Sequence, residues 1–153
     1  MNPAFRAAMA QVCTPVAVVT GMDSVLPHGT TVSAFASLSM DPPMVLVALD
    51  RHSALLAVLR RTRRFGVNVL GNGQAALASR FARKGGAAKF AGTPWRTHAG
   101  VPRIPGAGVF LGRTVADLVL GDVCHAESSG GAPLTYHRRT FGTHTRTGEV
   151  VSR

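Results

Sequence analysis

At 153 residues, the chain has room for one domain with a real core, residues 1–153, and not for two. A hydrophobic content of 46% excludes a disordered chain. The net charge of +10 rests on 17 Lys and Arg against 7 acids.

Most of that charge reads as an arginine-rich solvated surface, and the sharper reading is an anionic ligand or partner. The basic residues cluster at Arg60-Arg61, Arg63-Arg64, Arg80 to Lys89 and Arg138-Arg139. Nucleic-acid binding favours aromatics interleaved with such charges, and this chain has one Trp and one Tyr. Phosphate recognition is therefore expected, and nucleic acid is not. No apolar run approaches the roughly 18–20 residues of a membrane-spanning helix. The opening MNPAFRAAMAQV has a single Arg and no long apolar stretch, unlike a secretory leader. Cys13 and Cys124 make neither a disulfide scaffold nor a metal site. A reduced cytoplasmic protein is the plain expectation.

In chain order, Pro3 to Val12 is Ala-rich with helical spacing, and Val16 to Gly21 is a short β-branched strand. Gly29 to Asp50 then reads as two strands joined at Asp41-Pro42-Pro43. The first, Thr30 to Ser39, carries small and hydroxylated residues around Phe35. The second, Met44 to Leu49, is continuously apolar, as in a strand buried between layers. Small side chains let a flat ligand lie against the backbone, and hydroxyls with free amides grip polar ring edges or phosphate oxygens. This stretch is expected to form a wall of a small-molecule site.

Ser53 to Thr62 has helical spacing with Ser53 as N-cap, and Phe65 to Leu70 is a strand closed by Gly71-Asn72-Gly73. Gln74 to Arg83 is helical and ends at Gly85-Gly86, while Pro102 to Gly108 is loop. Gly108 to Val115 and Asp117 to Ala126 are strands, Ser128 to Gly131 a turn, and Pro133 to Phe141 a final strand. Many short strands with peripheral helices predict a β-barrel rather than a βαβ sheet.

These pieces, in this order, resemble the short-chain flavin reductases, the NAD(P)H:flavin oxidoreductases that feed two-component monooxygenases. The resemblance rests on His28-Gly29-Thr30-Thr31-Val32-Ser33-Ala34-Phe35-Ala36-Ser37-Leu38-Ser39, on Asp41-Pro42-Pro43 and on Phe65-Gly66-Val67-Asn68-Val69-Leu70. It continues through Arg80-Phe81-Ala82, Lys89-Phe90-Ala91-Gly92 and Pro133-Leu134-Thr135-Tyr136-His137-Arg138-Arg139. It implies a mainly β, FMN-binding type split β-barrel with Greek-key connections and peripheral helices. It also implies a homodimer with FMN or FAD near the interface, NADH or NADPH as donor, and a flavin-dependent monooxygenase as partner. By the same resemblance, Thr31, Val32, Ser33 and Ala34 edge the flavin ring, and Ser37, Leu38 and Ser39 line it from the next segment. Ser53, Arg80 and Phe81 meet the phosphate, with Lys89 as a further contact. Tyr136, His137 and Arg138 are left to meet the nicotinamide dinucleotide. The residue chemistry agrees, because a guanidinium donates two bonds to a phosphate at once.

Plain alternatives stand beside these roles. Ser33 and Ser37 could be small strand residues, and Arg80 a solvated helix residue. Asn68 is read as structural, His28 as a turn residue, Met44 as core and Trp95 as a core or loop anchor.

The chain departs from the family pattern at three places. Leu55 stands where a second hydroxyl is usual, removing one phosphate contact. Residues 109–133 are shorter than usual by about a hairpin. The family's nicotinamide-docking histidine falls on Ala116 in one alignment and on Val123 in another, with His125 nearby. The chain also stops at Arg153, where the resemblance would allow a C-terminal extension.

Flavin reduction requires no side-chain nucleophile or acid–base pair, because the cofactors carry the reactivity. No catalytic side chain and no metal ligand are expected. The absence of Gly-x-Gly-x-x-Gly argues against a Rossmann dehydrogenase. The alternative to a reductase is a flavin-binding barrel that carries or stores flavin, its activity lost with the shortened hairpin.

Overall fold

The computed structural model describes residues 3–115, 120–128 and 131–145. Helix α1 spans Pro3–Met9, shorter than the expected run to Val12. Gln11 and Val12 bond back to Ala8 and Met9 only as a turn. Strand β1 is Thr14–Pro15, β2 is Ala17–Asp23 and β3 is Leu26–Val32. The hydroxyl-rich segment from Thr30 to Ser39, expected as one strand, is broken at Ser33-Ala34. Strand β4 begins there at Phe35 and runs to Met40, and it pairs with β5, Pro43–Val47. The Asp41–Pro42 peptide between them is cis.

Helix α2 covers Ala54–Thr62 and β6 covers Arg64–Val69. A 3-10 turn at Asn72–Gln74 leads into α3, Ala75–Ala82, and a second one covers Gly86–Phe90. Strands β7 (Arg96–His98) and β8 (Val101–Arg103) form a small hairpin partly inside the stretch expected to be loop. Strands β9 (Val109–Val115) and β10 (Leu120–Ser128) form a long pair with a bulge between Val123 and His125. The expected final strand from Pro133 to Phe141 is instead a hairpin of β11 (Leu134–His137) and β12 (Thr140–Thr143). Its two-residue turn is Arg138-Arg139, both at positive φ (48° and 63°). Such a turn matches the strand twist but favours Asn and Gly, so two arginines hid it from sequence reasoning.

The fold is mainly β. Seven strands form one antiparallel sheet in the order β3-β2-β6-β9-β10-β5-β4, and β1-β11-β12 form a second. The large sheet does not close into a full barrel. Its two edge strands are nonetheless consecutive, joined only by Ser33-Ala34, so the sheet's edges converge there.

Strand β2 explains its unbroken apolar run, because successive side chains alternate faces and both faces are covered. Ala17 and Val19 join Val45, Val47, Leu55, Leu59, Phe65 and Val67 in one core. Val18, with Val16 just before the strand, joins Leu70, Ala78, Phe81, Phe90, Ile104 and Leu134 in the other. Strand β5 behaves differently from expectation. Val45 and Val47 are buried, Met44 and Leu46 are half-buried, and Ala48 is exposed. Only its Val45 and Val47 face joins a core, while Met44 and Leu46 belong to neither.

Asn68 is structural, as expected. Fully buried, it donates to the Val18 carbonyl (3.2 Å) and accepts from the Ile104 amide (2.8 Å). This ties the segment after β8 to the centre of the sheet.

Candidate functional site

Edge strand β3 organises the site. Gly29 faces α3, where an added Cβ would lie 3.0 to 3.1 Å from the Phe81 ring and 3.1 Å from Phe90. Two aromatic rings already fill the place of a side chain, which is why glycine stands there. Thr31 shares that face and donates its hydroxyl to the Ala78 carbonyl at 2.7 Å, fixing β3 to α3. The hydroxyl oxygen keeps acceptor capacity after that bond.

Three adjoining hollows run along β3. The central one, about 310 Å³, lies between Thr30 to Ala34 on one side and Ala48 to Asp50 on the other, with Ser53 at its end. Toward α3, a hollow of about 560 Å³ shares Thr31, Val32 and Ser33 and is walled by Ala78, Ala82, Tyr136, Arg139 and Phe141. A third cleft, of about 600 Å³, shares Thr30, Asp50 and Ser53 with the central hollow and Ala82 with the second, and extends to Lys89. The result is one groove with a small-residue centre, an aromatic end and a basic end.

Of the residues expected at the flavin ring, Thr31, Val32, Ser33 and Ala34 all lie on this groove. Ser33 and Ala34 are exposed; Val32 is half-buried and also packs on the first core. Ser37, Leu38 and Ser39 lie apart from it on edge strand β4, where Ser37 and Leu38 are exposed. Ser53 occupies the N-cap position of α2 without a side-chain capping bond, and no acid lies in the helix's first turn. Its hydroxyl and the first amides of α2 therefore suit an anion.

The Arg-Phe-Ala motif serves packing. Arg80 donates to the Thr93 hydroxyl (2.8 Å) and the Ala91 carbonyl (3.3 Å), pinning the segment after the second 3-10 turn. Phe81 is fully buried and meets Phe90 edge-to-face at 4.8 Å. Lys89 lies on the basic cleft, donating to the Phe81 (3.1 Å) and Arg83 (2.9 Å) carbonyls at the end of α3. Burial lowers its pKa from the usual lysine value of 10.5.

At the other end, Tyr136 lines the aromatic hollow and packs on Phe141, their centroids 5.1 Å apart. His137 is exposed. Arg138 turns away to α1's end, donating to the Gln11 side chain and, through its amide, to the Ala10 carbonyl, both at 2.7 Å. The arginine that lines the aromatic hollow is Arg139, which sequence reasoning passed over, as it did Phe141. Recognising the hairpin turn would have revealed both. His28, expected only in a turn, sits on β3 and lines the basic cleft.

Leu55 is buried in the first core, so the departure from the family pattern there strengthens packing. Ala116 lies outside the described residues. Val123 and His125 flank the β10 bulge. Among the described residues, no group of three His, Cys, Asp or Glu could hold a metal ion, and no helix is long and apolar enough to cross a membrane.

The flavin reductase like domain family matches residues 9–145. The chain is 36% identical, over 90% of its length and 78% of the relative's, to the reductase component of a 4-nitrophenol 4-monooxygenase/4-nitrocatechol 2-monooxygenase from Rhodococcus opacus. It is 38% identical to an NADH:riboflavin 5'-phosphate oxidoreductase from Streptomyces pristinaespiralis, over 94% and 88% of the two chains. Its fold is similar to the crystal structure of nitrilotriacetate monooxygenase component B from Mycobacterium thermoresistibile, with a TM-score of 0.89 and 28% identity. That match covers 98% of this chain and 90% of the other.

Proposed function

Because this chain belongs to the flavin reductase like domain family, we propose that it is an NAD(P)H:flavin oxidoreductase supplying reduced flavin to a partner monooxygenase. The observation that carries the reading is the continuous groove along Thr30 to Ala34, small and hydroxylated at its centre and basic beyond Ser53. A flat ring fits against Ser33 and Ala34, which present little side chain, while Ser53 and the start of α2 suit a phosphate. When bound, the flavin supplies the hydride-accepting chemistry: NAD(P)H is oxidised and the flavin gains a hydride and a proton. The chain's own part is to hold two rings in register and to exclude water.

Tyr136, Phe141 and Arg139 at the aromatic end are the residues this reading gives to the nicotinamide dinucleotide. NADH is the expected donor, as the name of the Streptomyces relative indicates for that protein. Stopped-flow mixing with NADH and FMN or FAD should bleach the flavin absorbance. Arg139→Ala should raise KM for NADH about tenfold, as loss of one charge-assisted bond does, with kcat little changed. Arg138→Ala should leave that KM alone. A wild-type protein that binds flavin but never reduces it at saturating NADH and NADPH would be the carrier instead.

One domain organised as a split barrel with Greek-key connections fits the convergence of β3 and β4 at Ser33-Ala34. A homodimer fits the exposed edge β4, where Leu38 is 47% and Met40 85% exposed. There a second copy would bring Ser37, Leu38 and Ser39 into use beside a flavin. Light scattering should report twice the chain mass, and a flavin-bound monomer at micromolar concentration would contradict the assembly. A reduced, cytoplasmic setting fits Cys13, exposed and free.

A further inference from the structure

The groove reading places a flavin's phosphate at Ser53, but the basic cleft does not stop there. It continues past Ser53 along His28 to the loop from Ala82 to Lys89. Its volume of about 600 Å³ falls in the middle of the roughly 300–1,000 Å³ range of pockets that enclose whole small-molecule ligands. A terminal phosphate would leave most of it to water.

The lining has a definite chemistry. Arg83, Lys84 and Lys89 come from one loop, against a single carboxylate, Asp50, which accepts from the His52 amide at 2.7 Å. Lys89 gives two of its three N–H bonds to carbonyls of α3's end, so one remains for a ligand. The imidazole of His28 has a buried Nε2 without a hydrogen-bond partner, an uncommon state for a buried polar atom. At Gly86, with φ of 53°, an added Cβ would meet nothing within 4 Å. The loop thus leaves open space beside its cations.

We infer that this cleft takes the adenosine diphosphate end of FAD, which makes FAD rather than FMN the preferred flavin. The inference rests on the groove reading, which seats the ring at Ser33 and Ala34. A second phosphate would meet the loop cations, and the adenosine would occupy the remaining volume beside His28. NADH carries an adenosine diphosphate as well, so the test must separate the two sources.

The test measures dissociation constants of riboflavin, FMN and FAD for the full chain by flavin fluorescence quenching, with KM for NADH measured in parallel. Lys84→Glu is the main variant, because Lys84 is exposed and its replacement does not disturb the core. FAD should bind at least about fivefold more tightly than FMN. Lys84→Glu should weaken FAD by about tenfold while moving FMN and riboflavin less than twofold. Equal affinity for FMN and FAD, or a Lys84→Glu protein that binds FAD like wild type, overturns the inference. If Lys84→Glu instead raises KM for NADH and leaves FAD affinity alone, the cleft serves the nicotinamide dinucleotide and the inference is overturned. Absence of binding by all three flavins, riboflavin included, overturns the groove reading itself.

Discussion

Phe81→Ala should destabilise the fold by about 3–5 kcal/mol, the usual cost of emptying a buried phenylalanine site. Phe81 is fully buried, and its loss also removes the edge-to-face contact with Phe90. The cavity cannot collapse easily. Gly29 borders it with no side chain to fall inward, and the Phe81 ring itself supports β3 at that point. At about 2–4 °C per kcal/mol for a domain of this size, the melting temperature should fall by about 6–20 °C. Phe81→Leu, which keeps much of the volume, should lose far less. The measurement also separates the two roles open to this residue. A Phe81→Ala protein that melts like wild type but loses flavin affinity would make the ring a ligand contact rather than a core residue.

That distinction shows what the sequence could and could not carry. The hydroxyl-rich segment was legible as the wall of a hollow because its composition is wrong for a packed strand, and Thr31 to Ala34 do line the groove, whose occupant is the proposal made above. Its break at Ser33-Ala34 was not legible. Two small residues there bear no turn signature, and the break follows from β3 and β4 pairing with different partners, β2 and β5. Strand β2 and helix α2 were readable from local pattern alone, since β-branched runs and helical spacing report burial directly. The Arg-Phe-Ala motif kept its place but not its expected company. Arg80 reaches Thr93 and Ala91, a contact across a loop that no spacing rule foretells. In the final hairpin a twist-matched turn of two arginines concealed that Arg139, not Arg138, faces the groove. The basic end escaped for a related reason. His28 is far in sequence from Lys84 and Lys89, and only the edge position of β3 brings them to one cleft.

Ser33→Trp should abolish useful flavin binding, weakening it by about two orders of magnitude, or roughly 2.8 kcal/mol at 1.4 kcal/mol per decade. Ser33 is exposed and lines both the central and the aromatic hollows, so an indole there occupies the space a flat ring would take. The fold should tolerate it. The position lies between strands, its side chain is outside both cores, and its carbonyl can still accept from the Phe35 amide at 3.0 Å. The melting temperature should therefore stay within about 2 °C of wild type, since surface changes usually fall within about 0.5 kcal/mol. The two readouts together isolate the groove, because Phe81→Ala is expected to lower stability first and Ser33→Trp affinity alone. If the Ser33→Trp protein folds normally and still quenches flavin fluorescence with wild-type affinity, the wall from Thr31 to Ala34 does not hold the ring. The site would then have to lie along edge strand β4, where Ser37 and Ser39 stand.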